Sequence, residues 1–223
     1  YFIENYLYKF KFQKKIFHSS NLKEKNFIIS FDCDTQKDVD CLNLLLGKLN
    51  EINIKIILAI PAQLIKKNIN LIKNLKESFK IEFLNHGYHI HTEFREIDKS
   101  YISTLSYNDK NFEFIKEDIL LAHKFLVNEL NYKPEGFRAP HFGEVTFNQK
   151  KKIFKYLKKL NYIYSSSSIY DLAITKGSIF KLNGITEFTV TGRSQNITKM
   201  MDSWSFLDTK NDTVVLKNEY SEE

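Results

Sequence analysis

The chain has 223 residues, of which 43% are hydrophobic and 27% are charged. This length suits one large α/β domain with a sizeable core, and no apolar run approaches the roughly 20 residues that cross a bilayer. The net charge of +6 favours an anionic partner only weakly, because many lysines lie on predicted solvent-facing helix surfaces. No motif indicates nucleic-acid binding, and the two cysteines, Cys33 and Cys41, exclude a disulfide framework.

Residues 1–25 form a basic, aromatic segment in which Lys9 and Lys11 alternate with Phe10 and Phe12. We predict that it packs its aromatic side chains onto a domain spanning 26–223, with peripheral contact to an anionic membrane as the alternative. No secretory signal is visible, so we expect a cytoplasmic or membrane-peripheral protein. The chain does not begin with Met, which is consistent with a trimmed piece of a longer protein.

Apolar runs and helical periodicities alternate along the next part of the chain. Strands are predicted at 26–31, 54–60, 81–84 and 162–164, and shorter ones at 179–182, 186–190 and 213–216. Helices are predicted at 38–50, through Ile65–Phe79, through Ile115–Leu130, and after a capping box of Thr146 and Gln149. Residues 91–111 have no period and are predicted as a loop. The alternation predicts a parallel α/β sheet or barrel with functional groups at the carboxyl ends of its strands.

Two predicted strands end in residues that bind metals. The first is followed by Asp32 and Asp34, and the third by His86, His89 and His91. Asp34, His86 and a second histidine would supply three ligands and leave one position open, the pattern of a catalytic zinc site. The second histidine is His89 if the chain turns helically after His86, and His91 if the chain continues as a loop.

Asp32 and Asp34 are two residues apart and therefore share one face of a regular strand. We predict that Asp34 binds the metal, that Asp32 deprotonates water, and that Arg138 pairs with Asp32 and holds its orientation. Cys33 should point to the opposite face, where it is interpreted as a small buried apolar residue rather than a reactive or metal-binding thiol.

Four segments resemble the motifs of the polysaccharide deacetylases, the family-four carbohydrate esterases. Residues 30–34 (SFDCD), 82–88 (EFLNHGY) and 136–141 (GFRAPH) look like the first three motifs, in the family's order, and residues 160–167 look like the fourth. The resemblance extends over about residues 26–170. It implies a single-domain distorted (β/α) barrel that removes an acetyl group, N-acetyl in particular, from a sugar of a surface polysaccharide, a lipopolysaccharide or a precursor of either.

The resemblance also implies roles for individual residues. Asp32 would be the base, and Asp34, His86 and a second histidine would hold a divalent metal, for which we predict zinc. Arg138 would tether Asp32, and the backbone N–H of His141 would help to stabilise the oxyanion. The predicted substrate is an acetylated sugar or glycan, with contacts from residues in or beside these motifs: Tyr88, Pro140, Ser165 and Ser166.

The chain departs from the family pattern in several places. The second histidine normally follows the first by four residues, which is Ile90 here, and Tyr and Asp are common where this chain has His141 and Ser165. The family's late Leu-His motif, which supplies the general acid, has no match, because no histidine follows His141. Either the chain is cut short, or His141 or His89 protonates the leaving amine, or the protein is a weak or inactive enzyme.

Three other functions are weighed against the deacetylase. A non-catalytic barrel that binds a glycan or a metal would explain the missing acid. A metal-dependent glycosyltransferase could use Asp32 and Asp34 on a nucleotide-sugar, but the histidines and Arg138 would then be unexplained. A haloacid-dehalogenase-type phosphatase needs a hydroxyl residue where this chain has Gln36.

Overall fold

The structure is a computed structural model that describes residues 28–141 and 144–190, together with Met200 and Asp202. The chain divides into two compact units. The larger one contains the described residues 28–141, 144–165 and 182–185, and the smaller one contains 166–181 and 186–190. The predicted segment 1–25 and the predicted strand 213–216 lie outside the described residues. In the part of the chain that is described, no helix is long and apolar enough to span a membrane.

Strands and helices alternate through the larger unit. Its elements are β1 (Ser30–Asp32), α1 (Gln36–Glu51), β2 (Ile56–Ile60), α2 (Ala62–Lys67), α3 (Ile69–Ser78), β3 (Ile81–Asn85), β4 (Thr92–Arg95), β5 (Ser100–Ser103), α4 (Phe112–Asn128), β6 (Gly136–Phe137), α5 (Phe147–Lys159) and the start of β7 (Tyr164–Ser168). The smaller unit contains the rest of β7, α6 (Tyr170–Lys176), and most of β8 (Ile179–Leu182) and β9 (Ile185–Thr189), with β9 between β7 and β8 in the sheet order.

The parallel register of the larger unit brings the carboxyl ends of its strands to one edge. Strands β1, β2, β3, β6 and β7 are neighbours in that order. Asp32 pairs with Ala59, and Asn85 pairs with both Ile60 and Phe137. The residues that follow β1, β3 and β6 therefore leave the sheet at the same edge, as functional residues do in parallel α/β folds.

Two apolar clusters hold the sheet against its helices. One joins β2 and β3 to α1, α3 and α4, with fully buried side chains such as Leu42, Leu58 and Ile72. The other joins β6 to α4 and α5 through residues such as Phe137, Ile119 and Phe154. Each fully buried side chain of this size contributes about 1.5–3 kcal/mol relative to exposure, so both helix layers are firmly attached to the sheet that carries the site.

Most predicted elements are present with shifted ends. Strand β6 and helix α6 were not predicted, and two further regions differ from the predictions. The helix predicted through Ile65–Phe79 is two helices, because the backbone at Asn68 leaves the helical region (φ −119°, ψ 28°). The loop predicted at 91–111 contains the antiparallel hairpin β4–β5, which turns at Lys99 with a positive φ of 53°. Strands of four residues are too short to produce a clear period in the sequence.

The capping box predicted at the start of α5 is confirmed. The N–H of Gln149 donates to Thr146 Oγ1 (3.3 Å), and the N–H of Thr146 donates to Gln149 Oε1 (3.3 Å). The helix buries Ile153 and Leu157 and exposes Lys151 and four other lysines, Lys152, Lys155, Lys158 and Lys159. The lysine-rich run is therefore a solvated helix face, as the sequence predicts.

Replacement of Gly136 by Ala should destabilise the fold. A Cβ at this position would lie 2.2 Å from Cζ of Tyr164 and 2.5 Å from Cδ2 of Leu84, so these two side chains would have to shift. We expect a loss of about 1–3 kcal/mol of unfolding free energy, measured by chemical denaturation. Gly47→Ala is the control: it lies in α1 with no atom within 4 Å of the added Cβ, and should stabilise by about 0.5–1 kcal/mol. Equal effects of the two changes would contradict the packing argument.

Candidate metal centre

The turn after β1 sets the position of Asp34. A capping box begins α1 here, and Asp38 Oδ2 accepts hydrogen bonds from the N–H groups of Thr35 (2.8 Å) and Asp34 (3.1 Å). Thr92 Oγ1 donates to Asp34 Oδ2 at 3.3 Å. Asp34 is thus held by hydrogen bonds at its backbone N–H and at Oδ2. Its other carboxylate oxygen, Oδ1, faces the imidazoles of His86 and His91.

Asp34, His86 and His91 converge on one point. Asp34 Oδ1 lies 3.3 Å from Nε2 of His86 and 3.0 Å from Nε2 of His91, and the candidate ligand atoms all lie within 4.8 Å of one another. The two imidazoles meet edge to face, with ring centroids 4.6 Å apart. Both histidines are buried, whereas the Asp34 side chain is 22% exposed.

The unsatisfied atoms of this cluster fit a divalent cation. Asp34 Oδ1 and both ring nitrogens of His91 are buried without a hydrogen-bond partner. Burying such polar atoms costs free energy unless another group, such as a bound ion, interacts with them. His86 Nδ1 donates to the carbonyl oxygen of Arg138 at 2.8 Å, so in the neutral ring Nε2 carries the lone pair that a metal needs. One carboxylate and two imidazoles are a donor set suited to zinc.

The pKa values of Asp34, His86 and His91 are shifted in different directions by their surroundings. Burial alone would raise the pKa of Asp34, but the adjacent imidazoles of His86 and His91 lower it far below its usual range. Burial would lower the pKa of His86, yet its interaction with Asp34 and the charge of Asp32 raise it above its ordinary value. The pKa of His91 is lowered by burial and by neighbouring His86, despite the opposing effect of Asp34.

These shifts predict a pH dependence of metal binding. Asp34 is ionised and His91 neutral near pH 7, so His86 is the ligand whose proton a metal must displace. Because its pKa is raised above the ordinary value of about 6.5, competition by the proton begins at higher pH than for a free imidazole. We expect zinc affinity to rise with pH through the range in which imidazoles lose their proton, and protons to be released when zinc binds. Calorimetry in buffers of different ionisation heat measures this release, and a pH-independent affinity would contradict the assignment.

Asp32 lies beside the cluster and is held by Arg138. Arg138 Nη1 donates to Asp32 Oδ1 at 2.5 Å, and Nη2 donates to Ser30 Oγ at 2.8 Å. Arg138 is buried, while the Asp32 side chain is 24% exposed. Within the described residues, Asp32 Oδ2 has no hydrogen-bond partner, so one carboxylate oxygen is oriented and the other is available to accept a proton.

His141 lies on the other side of His91. Its Nε2 donates to the carbonyl oxygen of His91 (3.1 Å) and lies 2.9 Å from Ser103 Oγ. Its backbone has a positive φ of 47°, which is uncommon for residues other than glycine and concentrates at functional sites. The backbone N–H of His141 makes no hydrogen bond in the described part of the chain, so it is available to a bound anion.

The structure places His89 away from the cluster. Nδ1 of His89 donates to Asp118 Oδ1 at 2.6 Å, and its ring stacks on Phe114 with centroids 5.6 Å apart. The segment after His86 is not a helix, so the condition that would have favoured His89 is not met. We therefore assign the third ligand position to His91.

The four predicted substrate contacts remain predictions, and the structure gives the surroundings of each residue. The ring of Tyr88 is half-buried and lies 5.4 Å from the ring of His89. Pro140 is buried between Arg138 and His141 in the chain, and Ser165 is buried on β7 opposite Phe137. Ser166 is half-buried and belongs to the smaller unit.

Cys33 is 3% exposed, as predicted for a buried apolar residue.

Four residues that support the site were not predicted: Ser30, Thr92, Ser103 and Asp118. Ser30 had a usable signal, because it is two residues before Asp32 and shares its strand face. Asp118 also had one, since it interrupts the apolar stripe of α4 between Ile115 and Ile119. Thr92 and Ser103 belong to the unpredicted hairpin and had none.

Comparison with known proteins shows similarity at the level of the fold. No family model matches the chain, and no curated protein sequence matches it. Among solved structures, one similar protein is assigned as a polysaccharide deacetylase from Mycobacterium smegmatis (TM-score 0.53, 15% identity, 74% of this chain and 58% of that chain). Another is a mutant of a family-four carbohydrate esterase pseudoenzyme from Bacillus anthracis with restored enzymatic activity (TM-score 0.50, 14% identity, 67% of this chain and 47% of that chain).

These matches confirm the predicted fold class. The chain has the α/β fold of the polysaccharide deacetylases, the distorted (β/α) barrel that the three sequence motifs imply. The similarity spans only about half the length of the two solved chains. The fold is shared by an active and an inactive type of protein, so the function must be argued from the site.

Proposed function

We propose that this protein is a zinc-dependent deacetylase that hydrolyses the N-acetyl group of an amino sugar in a surface polysaccharide, a lipopolysaccharide or a precursor. The observation that carries the proposal is the pairing of two arrangements at one edge of the sheet. Asp34, His86 and His91 form a three-donor cluster with unsatisfied buried atoms, and Asp32 next to it is oriented by Arg138. A metal-binding group beside a held carboxylate is suited to metal-assisted hydrolysis.

Each residue has a task in this proposal. The metal, when bound, polarises the acetyl carbonyl and makes water more acidic. Asp32 Oδ2 takes the proton of the attacking water, while Arg138 and Ser30 keep the carboxylate in place. The backbone N–H of His141 donates to the oxygen of the acetyl carbonyl as negative charge develops on it. The leaving amine must receive a proton, and we assign its donation to the ring of His141, which lies beside His91.

A second candidate function is a barrel that binds a glycan or a metal without turnover. It is motivated by the family resemblance, which places the general acid on a late histidine, whereas the residues given after His141 include none. The similar solved protein described as a pseudoenzyme shows that an inactive type exists on this fold. The DxD glycosyltransferase is less well supported, because the two imidazoles beside Asp34 would have no task in it.

The test combines metal content with acetate release. Purified protein is loaded with zinc, its metal content is measured by elemental analysis, and acetate is measured after incubation with N-acetylglucosamine oligomers and with O-acetylated xylan. Zinc near one per chain with acetate released from the N-acetyl substrate supports the proposal. Bound zinc without acetate from either substrate across a range of pH favours the non-catalytic candidate.

The cytoplasmic location and the membrane contact remain predictions, which cell fractionation and vesicle binding would test.

A further inference from the structure

A buried carboxylate outside the candidate metal centre lies on helix α4. Asp118 is 1% exposed, and none of the sequence motifs includes it. Its Oδ1 accepts from the N–H (3.0 Å) and from Nδ1 (2.6 Å) of His89, and its Oδ2 accepts from the hydroxyl of Tyr107 (2.5 Å). A buried carboxylate costs several kcal/mol unless it is well compensated, so three short contacts at one side chain indicate a specific role.

The contacts of Asp118 fall on the segment that joins the two histidine ligands. His86 and His91 are separated by residues 87–90, and Asp118 binds His89 in the middle of that segment. Gly87 also approaches it: a Cβ on Gly87 would lie 2.4 Å from Asp118 Oδ2, and its φ is +76°. The segment can lie this close to α4 only because residue 87 lacks a side chain.

Helix α2 holds the same segment from the opposite direction. The N–H groups of Ala62 and Gln63 donate to the carbonyl oxygens of Gly87 (3.0 Å) and Tyr88 (2.9 Å). Gln63 Oε1 accepts from the N–H of Ile90 at 3.0 Å. Asp118 is the only charged partner among these contacts in the described part of the chain, and the only one that binds the side chain of His89.

We propose that Asp118 is a positioning residue for the metal centre. By binding both the backbone and the ring of His89, it keeps that histidine out of the cluster and shapes the segment so that His91 reaches Asp34. The spacing of five residues between the ligands thereby becomes compatible with one metal ion. This inference rests on the metal site of the proposed function, but not on deacetylation itself.

The test measures metal affinity separately from stability. Asp118→Asn keeps the size of the side chain and removes its charge, and Tyr107→Phe removes one hydrogen bond while leaving both contacts with His89. Zinc dissociation constants are measured by competition with a chromophoric chelator, cobalt(II) binding by visible absorption, and stability by thermal unfolding without metal. Leu126→Val, in the same helix and 1% exposed, is the control that perturbs packing without touching the segment.

We expect Asp118→Asn to weaken zinc binding by about 10–100-fold, as changes to residues that orient ligands do, and to alter the absorption of bound cobalt. Tyr107→Phe should give a smaller loss in the same direction, and Leu126→Val should bind zinc like the wild type even if its unfolding temperature falls. Unchanged zinc affinity and cobalt absorption in Asp118→Asn would overturn the proposal. If that variant does not fold, unchanged affinity in Tyr107→Phe would overturn it instead.

These outcomes are distinguishable from failure of the proposed function. If the wild-type protein binds zinc but releases no acetate, the deacetylase proposal is overturned. The role of Asp118 is then decided by the zinc affinities of the variants alone. A folded wild-type protein that binds neither zinc nor cobalt overturns both.

Discussion

Asp32→Asn should bind zinc about as tightly as the wild-type protein and hydrolyse an N-acetylated sugar about 10²–10⁴-fold more slowly, the range that a general base contributes. Asp32 is not one of the three residues that converge on the metal position, so its amide should leave the ligand set intact. An amide nitrogen or oxygen cannot take the proton of the attacking water at neutral pH. The loss should therefore fall on kcat, with zinc content unchanged by elemental analysis.

The design of this experiment separates a base from a structural residue. Arg138 is buried against Asp32, and Asp32→Asn would leave its charge less well compensated, so unfolding should be measured alongside activity. Asp40→Asn, an exposed position on α1, is the matched control and should keep wild-type kcat. Turnover at the wild-type rate in Asp32→Asn, with zinc bound, would contradict the assignment of Asp32 as the base.

The second large effect is expected at the histidines. His91→Ala should lose more than the roughly 10–100-fold in zinc affinity that supporting residues cost, because it removes one of three protein ligands. His89→Ala should lose about tenfold or less, since it gives up one hydrogen bond to Asp118 while its backbone N–H can keep the other. The measurement is the zinc dissociation constant of the two purified variants.

The contrast between these two variants tests the geometry of the site. The histidines are two residues apart in the chain, carry the same side chain and differ in what surrounds them: His91 is fully buried beside Asp34, and His89 is 38% exposed beside Asp118. A larger loss of affinity in His89→Ala than in His91→Ala would show that the segment adopts another arrangement when metal is bound. Equal, small losses would show that neither histidine is a ligand.

The order of strands and helices could be predicted from the sequence because it depends on local pattern. A continuous apolar run such as Ile56–Ile60 indicates a buried strand, and apolar residues three to four apart, such as Leu42 and Leu46, indicate a helix, whatever the rest of the chain does. The same holds for the capping box of Thr146 and Gln149. The hairpin of β4 and β5 could not be predicted, because strands of four residues are too short to show a clear period.

The sequence by itself determined the residue types of the site and their places at strand ends. Asp32, Asp34, His86 and Arg138 follow or end parallel strands of one sheet, so local structure and chain order were sufficient to predict that they lie at the same edge.

Only the tertiary structure decided between His89 and His91. Their spacing from His86 allows either, and the choice depends on Asp118, which reaches the segment from a helix 29 residues further along the chain. The pairing of Ser30 with Arg138, 108 residues apart, was decided in the same way. Contacts between distant segments depend on how helices pack against the sheet, and no local pattern in the sequence records that packing.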